Sequence, residues 1–126
     1  MIKYEIIVIK INLSDKFKKF DDQWSPKVIA EMNNYQFKLV KIEGDFAWHQ
    51  HDETDETFYV IEGKLGINFE NETIELKAGE MIVVPKGVKH KPFAVEEAKI
   101  MLIEPKGVTN TGDKKNNLTA ENNQWV

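Results

Sequence analysis

All three histidines of this chain stand at spacings that suit a metal: His49 and His51 two residues apart, with Glu56 five residues beyond the second, and His90 just after a Pro85-Lys86-Gly87 turn. Side chains at i and i+2 of an extended segment leave the same face, so an extended run through His49 and His51 turns both imidazoles to one wall. The polar stretch Asp52-Glu53-Thr54-Asp55 suits a turn, after which Glu56, Phe58 and Val60 share one face of a returning strand and Glu56 closes on the pair. The apolar run Met81-Ile82-Val83-Val84 stops at Pro85 and Gly87, a reverse-turn signal that delivers His90 at the start of the next extended segment.

Three neutral imidazoles and one carboxylate form a nitrogen and oxygen donor set that suits zinc, iron, manganese, nickel or copper. The chain has no cysteine to favour a closed thiolate site. We therefore expect one divalent transition metal (Zn, Fe, Mn, Ni or Cu) in an open site, where bound water becomes more acidic and free positions accept water or a small bidentate molecule. An isolated His-x-His pair is weak evidence, because a strand histidine is more often a surface residue or a hydrogen-bonded core residue. The separate Gly79, Pro85, Gly87 and His90 spacing strengthens the pattern by supplying the strand and turn context the first cluster needs.

These residues resemble the two motifs of the cupins, small double-stranded β-helix or jelly-roll proteins. Gly44, His49, His51, Glu56 and Gly63 match the first motif, and Gly79, Pro85, Gly87 and His90 match the second. The resemblance implies an all-β jelly-roll barrel with His49, His51, Glu56 and His90 as metal ligands. The chain departs from the pattern twice: one residue fewer than usual separates Gly44 from His49, and Ala94 stands where many cupins have asparagine. Neither departure falls on a ligand. A closer likeness is to compact single-domain bacterial cupins loosely described as mannose-6-phosphate isomerase-like. It runs through Trp48-His49-Gln50-His51, Thr54-Asp55-Glu56-Thr57-Phe58, Glu104-Pro105 and Asn110-Thr111-Gly112. That likeness points to a subfamily and carries no reaction with it.

The elements that must position these residues are mostly short and extended. With 126 residues the chain is one domain, and we expect strands at Tyr4 to Leu13, Tyr35 to Glu43, Phe46 to His51, Thr57 to Glu62, Lys64 to Phe69, Thr73 to Leu76, Glu80 to Val84 and Ala98 to Ile103. Short strands punctuated by Gly, Pro and Asn fit a sandwich or barrel. One short N-terminal helix is expected from Ser14, as N-cap, through Phe17 and Phe20. Residues 1–105 are read as the barrel with its N-terminal strand and helix, and residues 106–126 as a polar C-terminal loop or tail, either anchored at its end by Trp125 or left unordered there. The first strand carries Ile7, Ile9, Ile11 and Leu13 on one face and Ile6 and Val8 on the other, more apolar surface than an exposed edge tolerates. A homodimer is expected from it, with an ordinary inner strand as the alternative.

Composition narrows the function classes. The net charge is −4 with both signs interspersed, so the concentrated basic stripe of a nucleic-acid surface is missing, and Lys16, Lys18 and Lys19 read as a solvated helix face. The run Ile6-Ile7-Val8-Ile9 is too short for a signal-peptide core or a membrane span, and we expect a soluble cytoplasmic protein. No glycine-rich phosphate loop, Ser-His-Asp arrangement or dinucleotide fingerprint is present. What remains is a metal-binding protein for a small polar or carboxylated molecule. The sequence leaves open whether it is an oxygenase- or isomerase-like enzyme or a non-catalytic binding or sensing module, since Asp52, Glu53 and Asp55 read as loop carboxylates.

Overall fold

A computed structural model describes residues 7–126. Its elements are a helix α1 (Leu13–Phe17) and seven strands, β1 (Lys27–Met32), β2 (Tyr35–Asp45), β3 (Glu56–Glu62), β4 (Lys64–Asn68), β5 (Thr73–Lys77), β6 (Met81–Val84) and β7 (Lys91–Pro105). The fold is thus all-β with one short N-terminal helix, consistent with a jelly roll. The last strand organises the rest. From Ala98 to Glu104 every second residue of β7 is buried, the period-two signature of a strand with one face on a core.

Pairing is antiparallel in the order β1-β2-β7-β3-β6, and β4 pairs with both β5 and β7. β2 lies along nearly the whole of β7, from Tyr35 opposite Pro105 to Asp45 opposite Phe93, with a register shift between Ile42 and Gly44. The other edge of β7 changes partner: its C-terminal half meets β3, and Lys91 to Phe93 meet β4. A strand that swaps neighbours midway bends the sheet back on itself, and the exposed Val95, Glu96 and Glu97 mark the corner.

Register explains the core. Val40, Ile100 and Val60 stand side by side on β2, β7 and β3, and they share the interior with Ile42, Leu65, Ile67 and Leu102. Each such side chain contributes about 1.5 to 3 kcal/mol of burial. The opposite face of the same strands carries Leu39, which joins Ile29, Phe17 and Phe20 in a second cluster under α1. The cap of that helix lies two residues before the expected one: Asn12, not Ser14, accepts the Asp15 N–H at 3.0 Å, and the helix stops at Phe17.

Three expectations change. Residues 7–12 form no strand, and Ile7, Val8 and Ile9 are exposed, because the place beside β2 belongs to β1. Residues 1–6, the start of the expected strand from Tyr4, lie outside the described residues. β1 escaped the sequence reading because Lys27-Val28-Ile29 is buried on successive residues and shows no alternation. Phe46 to His51 is not a sheet strand either, only a segment held by an isolated bridge between His49 and His90. The C-terminal segment returns to the barrel, where the Val28 N–H donates to the Gln124 carbonyl at 2.6 Å and the Val126 N–H to the Val28 carbonyl at 3.2 Å. Side chains add to this anchor, the Lys27 ammonium donating to Gln124 Oε1 at 3.1 Å and the Gln36 amide to Asn123 Oδ1 at 3.0 Å, whereas Trp125 is 53% exposed. Among the described residues no helix is long and apolar enough to cross a membrane.

Candidate metal centre

Two hairpin ends bring the four predicted residues together. His49 exchanges both backbone hydrogen bonds with His90, each at 2.9 Å, and the Gly87 N–H donates to the His51 carbonyl at 2.8 Å. The turn after β6 and the irregular segment before β3 are thereby fastened to each other, and Glu56 enters as the first residue of β3, opposite Val84. Although Phe46 to His51 is not a regular strand, its extended backbone sends His49 and His51 the same way. One donor atom from each of His49, His51, Glu56 and His90 lies within 4.8 Å of the other three, and all four residues are buried. Trp48, of opposite parity, lies outside this cluster and is exposed.

Local hydrogen bonds fix which ring nitrogen is available. His49 Nδ1 lies 2.9 Å from the Ala47 carbonyl, and His90 Nδ1 lies 2.9 Å from the Val88 carbonyl. A carbonyl only accepts, so Nδ1 carries the hydrogen in both rings and the Nε2 lone pair is left free. His51 Nε2 and His90 Nε2 stand 3.4 and 3.5 Å from Glu56 Oε1, contacts too poorly aimed to be hydrogen bonds. All three atoms are buried without a hydrogen-bond partner. A buried polar atom left this way costs about 1 to 3 kcal/mol, so three of them around one point form a cradle that a cation relieves. The residues fit a divalent metal.

A family model described as Cupin domain matches residues 37–104, more than half of the sequence. The chain belongs to the cupin family. A solved structure of a cupin-2 domain containing protein from Shewanella frigidimarina NCIMB 400 is 64% identical over 76% of this cupin and 94% of that chain, with a TM-score of 0.76. Protein NMB1881 from Neisseria meningitidis is 32% identical over 78% of this chain and 100% of its own, with a TM-score of 0.71. The uncharacterized protein YdbB of Bacillus subtilis (strain 168) is 41% identical over 64 residues, so this cupin spans 57% of that relative's length.

Charge inside the cupin barrel extends past the four predicted residues. Glu104 is 1% exposed, and its Oε1 receives the Lys38 ammonium at 2.8 Å. Burial first, and then the Glu56 charge and a hydrogen bond with Glu56, push the Glu104 carboxyl well above the ordinary range. Burial would raise Glu56 as well, but His51, His90 and Glu104 together hold it well below. The two carboxyls are thus pushed in opposite directions, and the Lys38 ammonium lies against the one that burial disfavours as an anion. Sequence reading noted Glu104 only as part of a Glu-Pro mark and passed over Lys38. The available signal was phase: Lys38 alternates with the inward Val40, and Glu104 with the inward Leu102.

Further support for the histidine segment comes from the C-terminal residues. Gly112 lies at φ +73°, and any Cβ there would run into the Gln50 carbonyl oxygen, between the two histidines. Gly112→Ala should cost about 2 to 3 kcal/mol from left-handed strain plus overpacking, and should weaken metal binding roughly tenfold by displacing Gln50. Gly107→Ala is the control: φ is +92° but nothing lies within 4 Å of the added Cβ. It should carry the backbone strain alone and bind metal like the parent; urea melts and metal titrations read both effects. Asp55, by contrast, is a loop staple, accepting the Lys86 N–H at 2.8 Å.

Burial, reinforced by neighbouring His90, lowers the His49 pKa from 6.5 to about 4. The unfolded chain takes a proton at this residue below about 6.5 while the folded chain refuses it, so His49 contributes stability that is complete above that pH and lost on the way down to 4. Metal-free protein should lose roughly 2 to 3 kcal/mol from this source between pH 7 and pH 4. In urea melts the loss should be smaller in His49→Asn; an identical pH slope in parent and variant would refute it.

Proposed function

We propose that this cupin holds one divalent transition metal through His49, His51, Glu56 and His90, and uses it to bind or transform a small molecule through that molecule's polar or carboxylate group. The observation that carries this reading is the convergence of four buried donor atoms within 4.8 Å, three of them without hydrogen-bond partners. A metal there supplies Lewis acidity, or dioxygen chemistry if it is iron(II). The chain's residues supply orientation: Ala47 and Val88 aim His49 and His90, and Glu104 with Lys38 steadies Glu56. Isomerase- or oxygenase-like catalysis and simple ligand sensing share this apparatus. Sensing is favoured by one observation, that Asp55 is engaged by a backbone N–H and Asp52 and Glu53 are exposed, so none of the three loop carboxylates is placed as a base in the site.

The experiment is to purify untagged protein, confirm one metal per chain, and incubate it with small carboxylic acids and sugar phosphates. Product formation identifies an enzyme, saturable binding without product identifies a sensor, and absence of metal contradicts both. The Trp48-to-His51, Glu104-Pro105 and Asn110-Thr111-Gly112 marks support a place among the compact cupins described as mannose-6-phosphate isomerase-like. Exposed Ile7, Val8 and Ile9 support a homodimer that covers them, which a monomer mass by light scattering would contradict. We further propose residues 1–105 as barrel, residues 106–126 as its C-terminal appendage, and a cytoplasmic location, with which a chain lacking cysteine is compatible.

A further inference from the structure

Beside His49 and Glu56 lies a cavity of about 30 Å³ whose remaining walls include Trp24, Val40, Phe46, Phe58 and Ile100. We propose that this cavity receives a compact molecule with an apolar body and a single metal-binding head. The proposal rests on the metal-binding reading and restricts its ligand: polarity is tolerated at the head and rejected in the body. Of the two apolar residues that share the face of Glu56 on β3, Phe58 lines this space, while Val60 is wholly buried in the core.

The walls offer a polar body nothing. The chain has no arginine to hold a second anionic group. The buried lysines are spent: Lys38 on Glu104 at 2.8 Å, Lys27 on Asp22 at 2.7 Å and Lys41 on the Phe20 carbonyl at 2.7 Å. Asn110 reaches the rim, but its amide nitrogen donates to the Trp24 and Leu118 carbonyls at 2.9 and 3.0 Å, and its oxygen accepts the Ala120 N–H at 2.9 Å. Among the described residues, the donor cluster itself, represented by His49 and Glu56, is what remains as polar lining. One water needs about 10 to 15 Å³ by this kind of measure, so the space admits few heavy atoms without wall movement. A hydroxyl buried there finds no partner and should weaken binding at least about tenfold. Polyhydroxylated sugars are therefore poor occupants, and short branched or cyclic hydrocarbon bodies are good ones.

The test compares isovalerohydroxamate with 3-hydroxybutanohydroxamate, which share a chelating head and differ by one methyl exchanged for one hydroxyl. Protein first shown to hold one cobalt(II) per chain is titrated with each by calorimetry, and Val40→Thr, which puts a hydroxyl into the wall at nearly constant volume, is titrated alongside. We expect the methyl compound to bind at least tenfold tighter to the parent and the gap to narrow several-fold in the variant. Equal affinities, a reversed order, or no binding of either compound to cobalt-loaded parent overturns the proposal while leaving the metal reading intact. A chain that takes up no cobalt overturns the metal reading, and this proposal with it.

Discussion

Replacing His90 by alanine should abolish stoichiometric metal uptake while leaving a folded chain. The backbone N–H and carbonyl of His90, which hold His49 at 2.9 Å in both directions, survive the substitution, so the hairpin stays fastened. What disappears is one imidazole whose Nε2 has no hydrogen-bond partner among the described residues. Loss of groups that merely orient a metal ligand costs about 10- to 100-fold in affinity, and loss of a ligand should exceed that range. The metal-free variant also sheds an unsatisfied buried nitrogen, which offsets part of the cavity it leaves among Phe58 and Phe69. Competition titration against a chelator reads the affinity, and a urea melt in the chelator's presence reads the fold. Parent-like affinity would remove His90 from the site.

Lys38→Met should destabilise the metal-free protein by about 3 to 5 kcal/mol, the usual cost of removing one partner from a buried ion pair. Lys38 and Glu104 have side chains only 3% and 1% exposed, so water cannot take over the role of the missing ammonium. Glu104 would lose the cation that favours its charged form, and its carboxyl, already above the ordinary range, would be pushed further up. A raised folded pKa makes stability fall as pH rises, so the deficit should be larger at pH 8 than at pH 5. Adding Glu104→Leu should restore much of the loss, since an apolar pair of similar volume commonly replaces a buried ion pair without penalty. Stability within 1 kcal/mol of the parent in the single variant would mean that the pair does not share its charge with the barrel interior.

The site was more legible in the sequence than the scaffold that supports it. His49, His51, Glu56 and His90 could be read because histidine is scarce here and because glycine and proline mark the turns that aim them. Strands β2 to β6 were visible through alternation or apolar runs bounded by turn residues. β1 was hidden because both its faces are covered near its start, which erases period two, while the apolar N-terminal run was read as a strand in its stead. The length of β7 was underestimated because Val95-Glu96-Glu97 looks like a loop, whereas it is the exposed corner of one continuous strand. Lys38 and Glu104 were missed for a different reason. Charged residues are assigned to the surface by default, so the phase that Lys38 shares with Val40 and Glu104 with Leu102 was passed over, and the pairing of β2 with β7 then sets the two side by side.

The central claim is that four side chains from two hairpins meet at one ion. X-ray absorption fine structure of zinc-loaded, untagged protein tests it most directly, because outer-shell scattering counts imidazoles. The account predicts three, with zinc–nitrogen distances of about 2.0 to 2.1 Å and oxygen completing the sphere. A fit requiring one imidazole or none would contradict it.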